Sequence, residues 1–169
     1  MKISVIITAY NDVATLAEAI ESVIDQTSKA DEIIVVDDGS SDATSEVAKV
    51  YDEVSLLRQK HMGSFSARNN GVMMAENRWI AFLDAKQQWS HDKLQKQIAF
   101  HKKDKTLKVS VLTGSNCLDL EHALAKERVD SSAVLIEKRL FDQLGGFDEA
   151  FEMSEDDELW LRAVEAISK

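Results

Sequence analysis

Four short apolar runs in the first hundred residues constrain the fold most, because each is followed by a polar turn and a segment of helical spacing. The runs are rich in Val, Ile and Leu, which is typical of strands buried on both faces of a parallel sheet. They span Lys2–Thr8, Asp31–Asp37, Val54–Leu57 and Trp79–Leu83. Strands that alternate with helices predict an α/β fold: a Rossmann-type, mostly parallel sheet with helices on both faces and right-handed crossovers.

The pattern changes after Lys102, where the elements become shorter and less regular. We expect strands at Leu107–Leu112, which could be antiparallel, and at Ala133–Ile136, with a short helix at Asp119–Lys126. Leu140–Leu144 predicts one or two helical turns that end at a Gly-Gly pair, and a last helix follows Ser154. The sequence contains no repeat or linker, so we expect one domain over residues 1–169, with a first part at about 1–102 and a second at about 103–169.

Composition argues against two classes of partner. The chain has 169 residues and a net charge of −10, which argues against nucleic acid and against an anionic membrane surface as partners. A nucleotide ligand stays compatible, since backbone donors or a metal ion offset phosphate charge locally. Cys117 stands alone, which fits a reducing compartment and a small buried apolar residue. No apolar run approaches the ~20 residues of a membrane span, and the N-terminus does not resemble a signal peptide.

Polar side chains follow three of the predicted strands. Tyr10 follows the first, Asp37 and Asp38 end the second, and Asp84 ends the fourth. Ligands of open α/β sheets lie outside the carboxyl ends of the strands. An acid there can accept a hydrogen bond from a ribose hydroxyl or a base N–H, and Tyr10 can stack on a base. The alternatives are turn chemistry for the two acids and packing at the sheet edge for Tyr10.

Two other segments carry candidate site residues. Arg68 lies in the first turns of a helix that opens after Gly63, and a helix N-terminus and a guanidinium both favour anions. The acidic run at residues 155–157 can hold a general base. The alternatives are a solvent-exposed Arg68 and acids that complement a helix dipole. A dinucleotide-binding Rossmann domain is disfavoured because the turn after the first strand, Thr8–Val13, has no glycine.

Together the motifs resemble the family 2 glycosyltransferases. The resemblance rests on the order of the motifs along nearly the whole chain. They are Val5–Asn11, Asp31–Asp42, Ala67–Asn69, Trp79–Trp89 with Asp92–Leu94, Leu144–Glu149 and Glu155–Arg162. The resemblance implies a GT-A-like fold and transfer of a sugar from a nucleotide donor, usually a UDP-sugar, to an acceptor hydroxyl with inversion. It also implies a nucleotide-binding first part and an acceptor-side second part.

The resemblance assigns roles to particular residues. Thr8, Ala9 and Tyr10 would line the nucleobase pocket, and Asp38, with Asp37 beside it, would hold the base or ribose. Arg68 would lie near the nucleotide. Asp84 would contact the diphosphate or its metal ion. Asp156 would deprotonate the acceptor hydroxyl as the general base.

The sequence departs from the family at the end of the fourth strand. The family usually has Asp-x-Asp-Asp there, and the later acids hold Mn²⁺ or Mg²⁺; here Lys86 and Gln87 replace those acids. The family implies a Mn²⁺ or Mg²⁺ cofactor, but Asp84 with a Gln carbonyl makes a poor divalent site. Our hypothesis is that the Lys86 ammonium takes the place of the metal beside the diphosphate.

Two functions therefore stay open. The first is a working glycosyltransferase of polysaccharide biosynthesis with a glycan or lipid-linked acceptor, located in the cytoplasm and peripheral to the membrane through that acceptor. The alternative is a non-catalytic pseudo-glycosyltransferase or truncated domain that keeps nucleotide binding or an interaction role. The sequence predicts neither the sugar nor the oligomeric state.

Overall fold

A computed structural model describes residues 1–150 and 157–167. Seven strands and seven helices follow one another in that part of the chain. They are β1 (Ile3–Ala9), α1 (Leu16–Ile24), β2 (Glu32–Asp37), α2 (Thr44–Ala48), β3 (Val54–Arg58), α3 (Ser64–Met74), β4 (Trp79–Asp84), α4 (Lys93–Lys103), β5 (Val109–Thr113), β6 (Asn116–Leu118), α5 (Leu120–Leu124), β7 (Val134–Glu137), α6 (Lys138–Leu144) and α7 (Asp157–Ile167). A 3₁₀ turn at Ser131–Ala133 precedes β7.

The strands form one sheet in the order β3-β2-β1-β4-β7-β5-β6. The first four strands are mutually parallel, β7 is antiparallel to both β4 and β5, and β6 is antiparallel to β5. Five of the seven strands therefore run in one direction, so the predicted mostly parallel α/β sheet is confirmed.

Apolar side chains cover both faces of the sheet. Successive residues of a strand point to opposite faces, so Ile6 and Phe82 contribute to one core and Ile7 and Leu83 to the other. The first core contains apolar residues of α3, α5, α6 and α7, and the second those of α1, α2 and α4. This two-sided burial explains why β1 and β2 are mostly apolar along their length, with no regular alternation of apolar and polar residues.

Some predicted elements differ from the observed ones in length or existence. The second helix is shorter than its apolar pattern indicates: α2 ends at Ala48, before the apolar residues Val50 and Tyr51, and Val50 is 77% exposed. The strand β6 was missed, because three residues carry too little periodicity to predict a strand. The predicted antiparallel strand near Leu107–Leu112 is β5, and the helix expected at Asp119–Lys126 is the shorter α5.

Candidate functional site

The carboxyl ends of β1, β2 and β4 meet at one edge of the sheet. The register pairs Thr8 with Asp84 and Ala9 with Asp37, so the polar strand ends are adjacent. A cleft of about 210 Å³ opens there. Its lining consists of Thr8, Ala9, Tyr10, Asp12, Asp38, His61, Gly63, Ser64, Ala67, Asp84 and Lys86. Six of the predicted site residues therefore share one cleft.

The turn after β1 is held by short polar contacts. Asp12 is buried, and its Oδ2 accepts the backbone N–H of Tyr10 at 2.8 Å. Asn11 has a positive φ of 53°, and its Oδ1 accepts the backbone N–H of Ser41 at 2.8 Å. These contacts join the turn after β1 to the turn after β2. Tyr10 is consequently held at the rim of the cleft with 41% of its surface exposed.

Asp37 lies outside the lining of the cleft and is fully buried. Its carboxylate accepts the backbone N–H of Ser40 at 2.9 Å and the hydroxyl of Ser45, and it lies 3.7 Å from Nε of Arg58. Burial acts to raise the pKa of the Asp37 carboxyl, but the hydrogen bonds from Ser40 and Ser45 and the charge of Arg58 outweigh burial and lower that pKa. Asp37 thus orders the turn after β2.

Asp38 faces the cleft, but its carboxylate is already surrounded by donors. Oδ1 accepts from Nε2 of Gln59 and from the backbone N–H of Met62, both at 2.8 Å. Oδ2 accepts the backbone N–H of Gly63 at 2.9 Å and Nδ1 of His61 at 2.8 Å. A carboxylate has about four acceptor positions. Asp38 therefore accepts a bond from a ligand only when one of these protein donors leaves.

His61 and Tyr10 form an aromatic pair at the mouth of the cleft. Their ring centroids lie 3.9 Å apart and the ring planes differ by 14°, so the rings are stacked. Because a carboxylate cannot donate, the bond to Asp38 places a proton on Nδ1 of His61. The imidazole side chain is 55% exposed. His61 was not among the predicted site residues; its place just before the Gly63 that caps α3 was the available signal.

The turn after β4 holds Asp84 and Lys86. Oδ1 of Asp84 accepts the backbone N–H of Lys86 at 2.9 Å. The Lys86 side chain is 70% exposed, and its ammonium reaches within 3.7 Å of Oδ1 of Asp12 across the cleft. Nε2 of Gln87 donates to Asp130 at 2.9 Å, while its buried Oε1 has no hydrogen-bond partner among the described residues.

This donor set does not fit a divalent cation. Over residues 1–150 and 157–167, no three His, Cys, Asp or Glu side chains are grouped as metal ligands. Of the acids that line the cleft beside this turn, Asp12 lies 3.7 Å from the Lys86 ammonium and Asp84 accepts the backbone N–H of Lys86, whereas Mg²⁺ or Mn²⁺ prefers several free oxygen ligands. The positively charged Lys86 thus occupies the turn for which the resemblance implies a metal-binding acid.

Arg68 lies on α3 but does not line the cleft. Its guanidinium lies over the rings of Phe65 and Phe147, at 5.7 Å and 5.3 Å from the ring centroids. Burial acts to raise the pKa of Asp130, but hydrogen bonds from Gln87 and Ser132 and the charge of Arg68 outweigh it and lower that pKa. Arg68 thus faces Phe147 and Asp130 in the second part of the chain, whereas Ser64 and Ala67 bring the start of α3 to the cleft.

The segment Leu144–Glu149 is tied to α3 and α7. The Asn69 amide donates to the carbonyl of Phe147 and accepts its N–H, both at 2.9 Å. On α7, Trp160 is fully buried and its ring contacts Phe147, while the Arg162 guanidinium donates to the carbonyls of Leu144 and Gly146. Asp156, the predicted general base, lies outside the described residues, and α7 begins directly after it.

Comparison with protein families assigns the chain to a known group. Residues 4–145 match the family model described as Glycosyl transferase family 2. An uncharacterized glycosyltransferase of Rickettsia prowazekii is 31% identical over 183 residues, covering 95% of this chain and 58% of the relative. A teichuronic acid biosynthesis glycosyltransferase of Bacillus subtilis, TuaG, is 34% identical over 103 residues, covering 58% of this chain and 41% of the relative. The chain thus spans little more than half the length of its relative from Rickettsia prowazekii.

Solved structures confirm the GT-A-like fold. Residues 1–349 of TarS from S. aureus, in complex with UDP, superpose with a TM-score of 0.78 at 20% identity, covering 96% of this chain and 55% of that one. The mannosyltransferase PcManGT from Pyrobaculum calidifontis, in complex with GDP-Man and Mn²⁺, gives a TM-score of 0.76 at 20% identity, covering 98% and 51%. Within residues 1–150 and 157–167, every helix is too short or too polar to cross a membrane.

Proposed function

Since the chain belongs to glycosyl transferase family 2, we propose that it transfers a sugar from a nucleotide-diphosphate sugar, a UDP-sugar in the first instance, to an acceptor hydroxyl with inversion. The observation that carries the proposal is the convergence of Thr8, Tyr10, Asp38, Asp84 and Lys86 on one cleft at the carboxyl ends of β1, β2 and β4. The solved structures of similar fold that contain UDP or GDP-Man support a nucleotide as the donor.

In this proposal the nucleoside part of the donor lies between the turns after β1 and β2. The exposed Tyr10 ring offers a stacking surface, and the carboxylate of Asp38 accepts from the base or ribose. Thr8 adds a buried hydroxyl that has no hydrogen-bond partner among the described residues. Asp37 acts indirectly, because its carboxylate orders the turn that presents Asp38.

The diphosphate would then lie beside the turn after β4, with Lys86 supplying positive charge. A lysine ammonium binds phosphate as a point charge, and Lys86 is exposed enough to turn from Asp12 toward a ligand. The start of α3, at Ser64, adds the positive end of a helix dipole to the same cleft. We propose that this set replaces the metal ion that the family generally uses.

The role of Lys86 predicts a loss of nucleotide affinity without metal. Lys86→Ala should weaken UDP binding by about 5- to 50-fold, as expected for loss of one charged contact to phosphate. The measurement is calorimetric titration with UDP in EDTA and again in Mn²⁺, with Lys60→Ala as the exposed control. The hypothesis fails if Lys86→Ala binds UDP as tightly as the unaltered chain and added Mn²⁺ strongly raises affinity.

Transfer with inversion needs one general base beside the acceptor hydroxyl, and we propose Asp156 for that role. Sugar release from UDP-, GDP- and dTDP-sugars, with and without metal, tests the activity directly. Asp156→Asn should reduce turnover by at least about 100-fold, the usual contribution of a general base, while UDP affinity stays unchanged. Equal turnover by Asp156→Asn and the unaltered chain would exclude Asp156 as the base.

A non-catalytic nucleotide-binding role is the second candidate. One observation favours it: Lys86 and Gln87 stand where the family usually has acids. Nucleotide binding with no sugar release under any metal condition would support this candidate. The glycan or lipid-linked acceptor, and the division into a donor part at about 1–102 and an acceptor part at about 103–169, belong to the transferase proposal.

A further inference from the structure

His61 makes the same two kinds of contact that the proposed donor site offers to a nucleobase. A base in that site would stack on Tyr10 and donate an N–H to Asp38. The imidazole of His61 stacks on Tyr10 at 3.9 Å and donates from Nδ1 to Oδ2 of Asp38 at 2.8 Å. A planar aromatic ring with an N–H donor therefore already fills the place of the base.

We propose that His61 is an internal mimic of the nucleobase, which the donor nucleotide must displace in order to bind. This inference rests on the proposed function, because it assumes that the base binds between Tyr10 and Asp38. The residue is then a determinant of nucleotide affinity: the stronger its own contacts, the lower the fraction of molecules that are ready to bind.

The hydrogen bonds of the Asp38 carboxylate indicate that a base binds by displacing His61 and not by adding to a free acceptor. Its two oxygens accept four protein hydrogen bonds, and its residue is 3% exposed, so no acceptor position is left for a base. Three of those bonds come from the loop between β3 and α3: one from the Gln59 side chain and two from the backbone N–H groups of Met62 and Gly63. The bond from His61 comes from a side chain that is 55% exposed, and it is the one that a rotation of a single side chain releases.

The backbone of the loop does not need to move in this exchange. The amides of Met62 and Gly63 remain bonded to Asp38 when the imidazole leaves. Gly39 has a φ of +77°, and a Cβ there would lie 2.7 Å from the backbone nitrogen of His61, so the loop lies directly against the turn after β2. The loop is therefore fixed by its backbone, while the ring is held by the stack on Tyr10 and by its Nδ1, which lies 2.8 Å from Oδ2 and 3.2 Å from the backbone carbonyl oxygen of Asp38.

The size of the cleft agrees with displacement. Its volume of about 210 Å³ is below the roughly 300–1,000 Å³ of pockets that enclose drug-sized ligands. Rotation of the imidazole away from Tyr10 adds the volume of an aromatic ring to the cleft. It also frees one acceptor position of Asp38 and one face of Tyr10, so the base can form the same stack and the same hydrogen bond that the imidazole formed.

The displacement predicts that removal of the ring tightens binding. His61→Ala should raise UDP affinity by about 3- to 30-fold, since a stacked pair and one hydrogen bond no longer compete. His61→Phe keeps a ring against Tyr10 but lacks the N–H, so its affinity should lie between those of His61→Ala and the unaltered chain. His91→Ala, at another exposed histidine, is the matched control and should leave affinity unchanged.

The experiment is calorimetric titration of the unaltered chain and the three variants with UDP, after circular dichroism has established that each is folded. In the unaltered chain, the NMR signal of the His61 ring should also move downfield on saturation with UDP, as the ring leaves the shielding face of Tyr10. Tighter binding by His61→Ala supports the inference. Equal or weaker binding by His61→Ala overturns it while the proposed function stands. If neither the unaltered chain nor any variant binds a nucleotide, the proposed function and this inference both fail.

Discussion

Lys93 is the most unusual single residue outside the cleft, because its ammonium is buried in the second core. Its Nζ donates to Oε1 of Gln97 at 2.7 Å and lies 4.1 Å from the centre of the Trp89 ring. No carboxylate is among the described partners of this ammonium. Burial lowers the pKa of Lys93 to about 7, and the charge of Cys117 opposes that shift only in part.

This lowered pKa predicts a dependence of stability on pH. The unfolded chain keeps the Lys93 proton up to its ordinary pKa of about 10.4, whereas the folded chain releases it above about 7. The unfolded state therefore binds more protons in this window, so the free energy of unfolding should rise with pH, by about 1 kcal/mol per pH unit. Below pH 7 both states are protonated and the contribution is constant.

Urea unfolding between pH 7 and pH 9.5 measures this slope. Lys93→Met keeps an apolar chain of similar length and should remove the Lys93 share of the slope, whereas Lys60→Met, at an exposed lysine, should retain it. Equal slopes for Lys93→Met and the unaltered chain would contradict a buried, neutral Lys93.

At the same scale, adjacent acids in the sequence acquire different roles in the fold. The pair Asp37–Asp38 was identified as a site from the sequence, and only Asp38 lines the cleft. Neighbouring residues at the end of a strand point to opposite sides, so Asp37 turns toward Ser45 and Arg58. The contacts of His61 with Tyr10 and Asp38 are made by the loop between β3 and α3, so its place before Gly63 is the one local signal in the sequence for this residue.

At the scale of elements, the turn from α6 to Phe147 depends on two glycines with positive φ. Gly145 has a φ of 80°, and a Cβ added there would contact nothing within 4 Å. Gly146 has a φ of 73°, and its Cβ would lie 2.6 Å from Oδ1 of Asn69. That Asn69 amide is the group that pairs with the backbone of Phe147.

The two glycines therefore provide a matched pair of substitutions. Gly145→Ala should cost about 1 kcal/mol from backbone strain alone, and Gly146→Ala about 2–4 kcal/mol because it also displaces the Asn69 amide. Urea denaturation of both variants measures the difference. Equal losses of stability would show that the Asn69 contact does not hold this turn.

The first hundred residues were the more predictable part of the fold, for a physical reason. β1, β2 and β4 are apolar runs because helices cover both faces of the sheet, and this pattern is visible in the sequence. The segment from β5 to the 3₁₀ turn consists of pieces of three to five residues, which carry little periodicity. The order of strands β7 and β5 depends on long-range antiparallel pairing that no local pattern specifies.

At the scale of the whole molecule, the proposed function requires the cleft to bind an anionic donor although the chain has a net charge of −10. Overall electrostatic steering of a nucleotide is therefore unfavourable, and the attraction must be local. Lys86 and the start of α3 are the groups at the cleft that provide it. A site that relies on an ammonium in place of a metal should bind its nucleotide in the presence of a chelator.

The central claim is that the cleft between Tyr10, Asp38 and Lys86 is a nucleotide site that works without a divalent metal. Thermal unfolding with UDP, GDP and dTDP, each in EDTA and in Mn²⁺, tests it most directly, because a ligand of the folded state raises the unfolding temperature. At about 100 times its dissociation constant, a nucleotide should add roughly 2.7 kcal/mol to the free energy of unfolding. We predict an increase with UDP in EDTA and no further increase with Mn²⁺; no increase with any nucleotide, or an increase that requires Mn²⁺, would contradict the account.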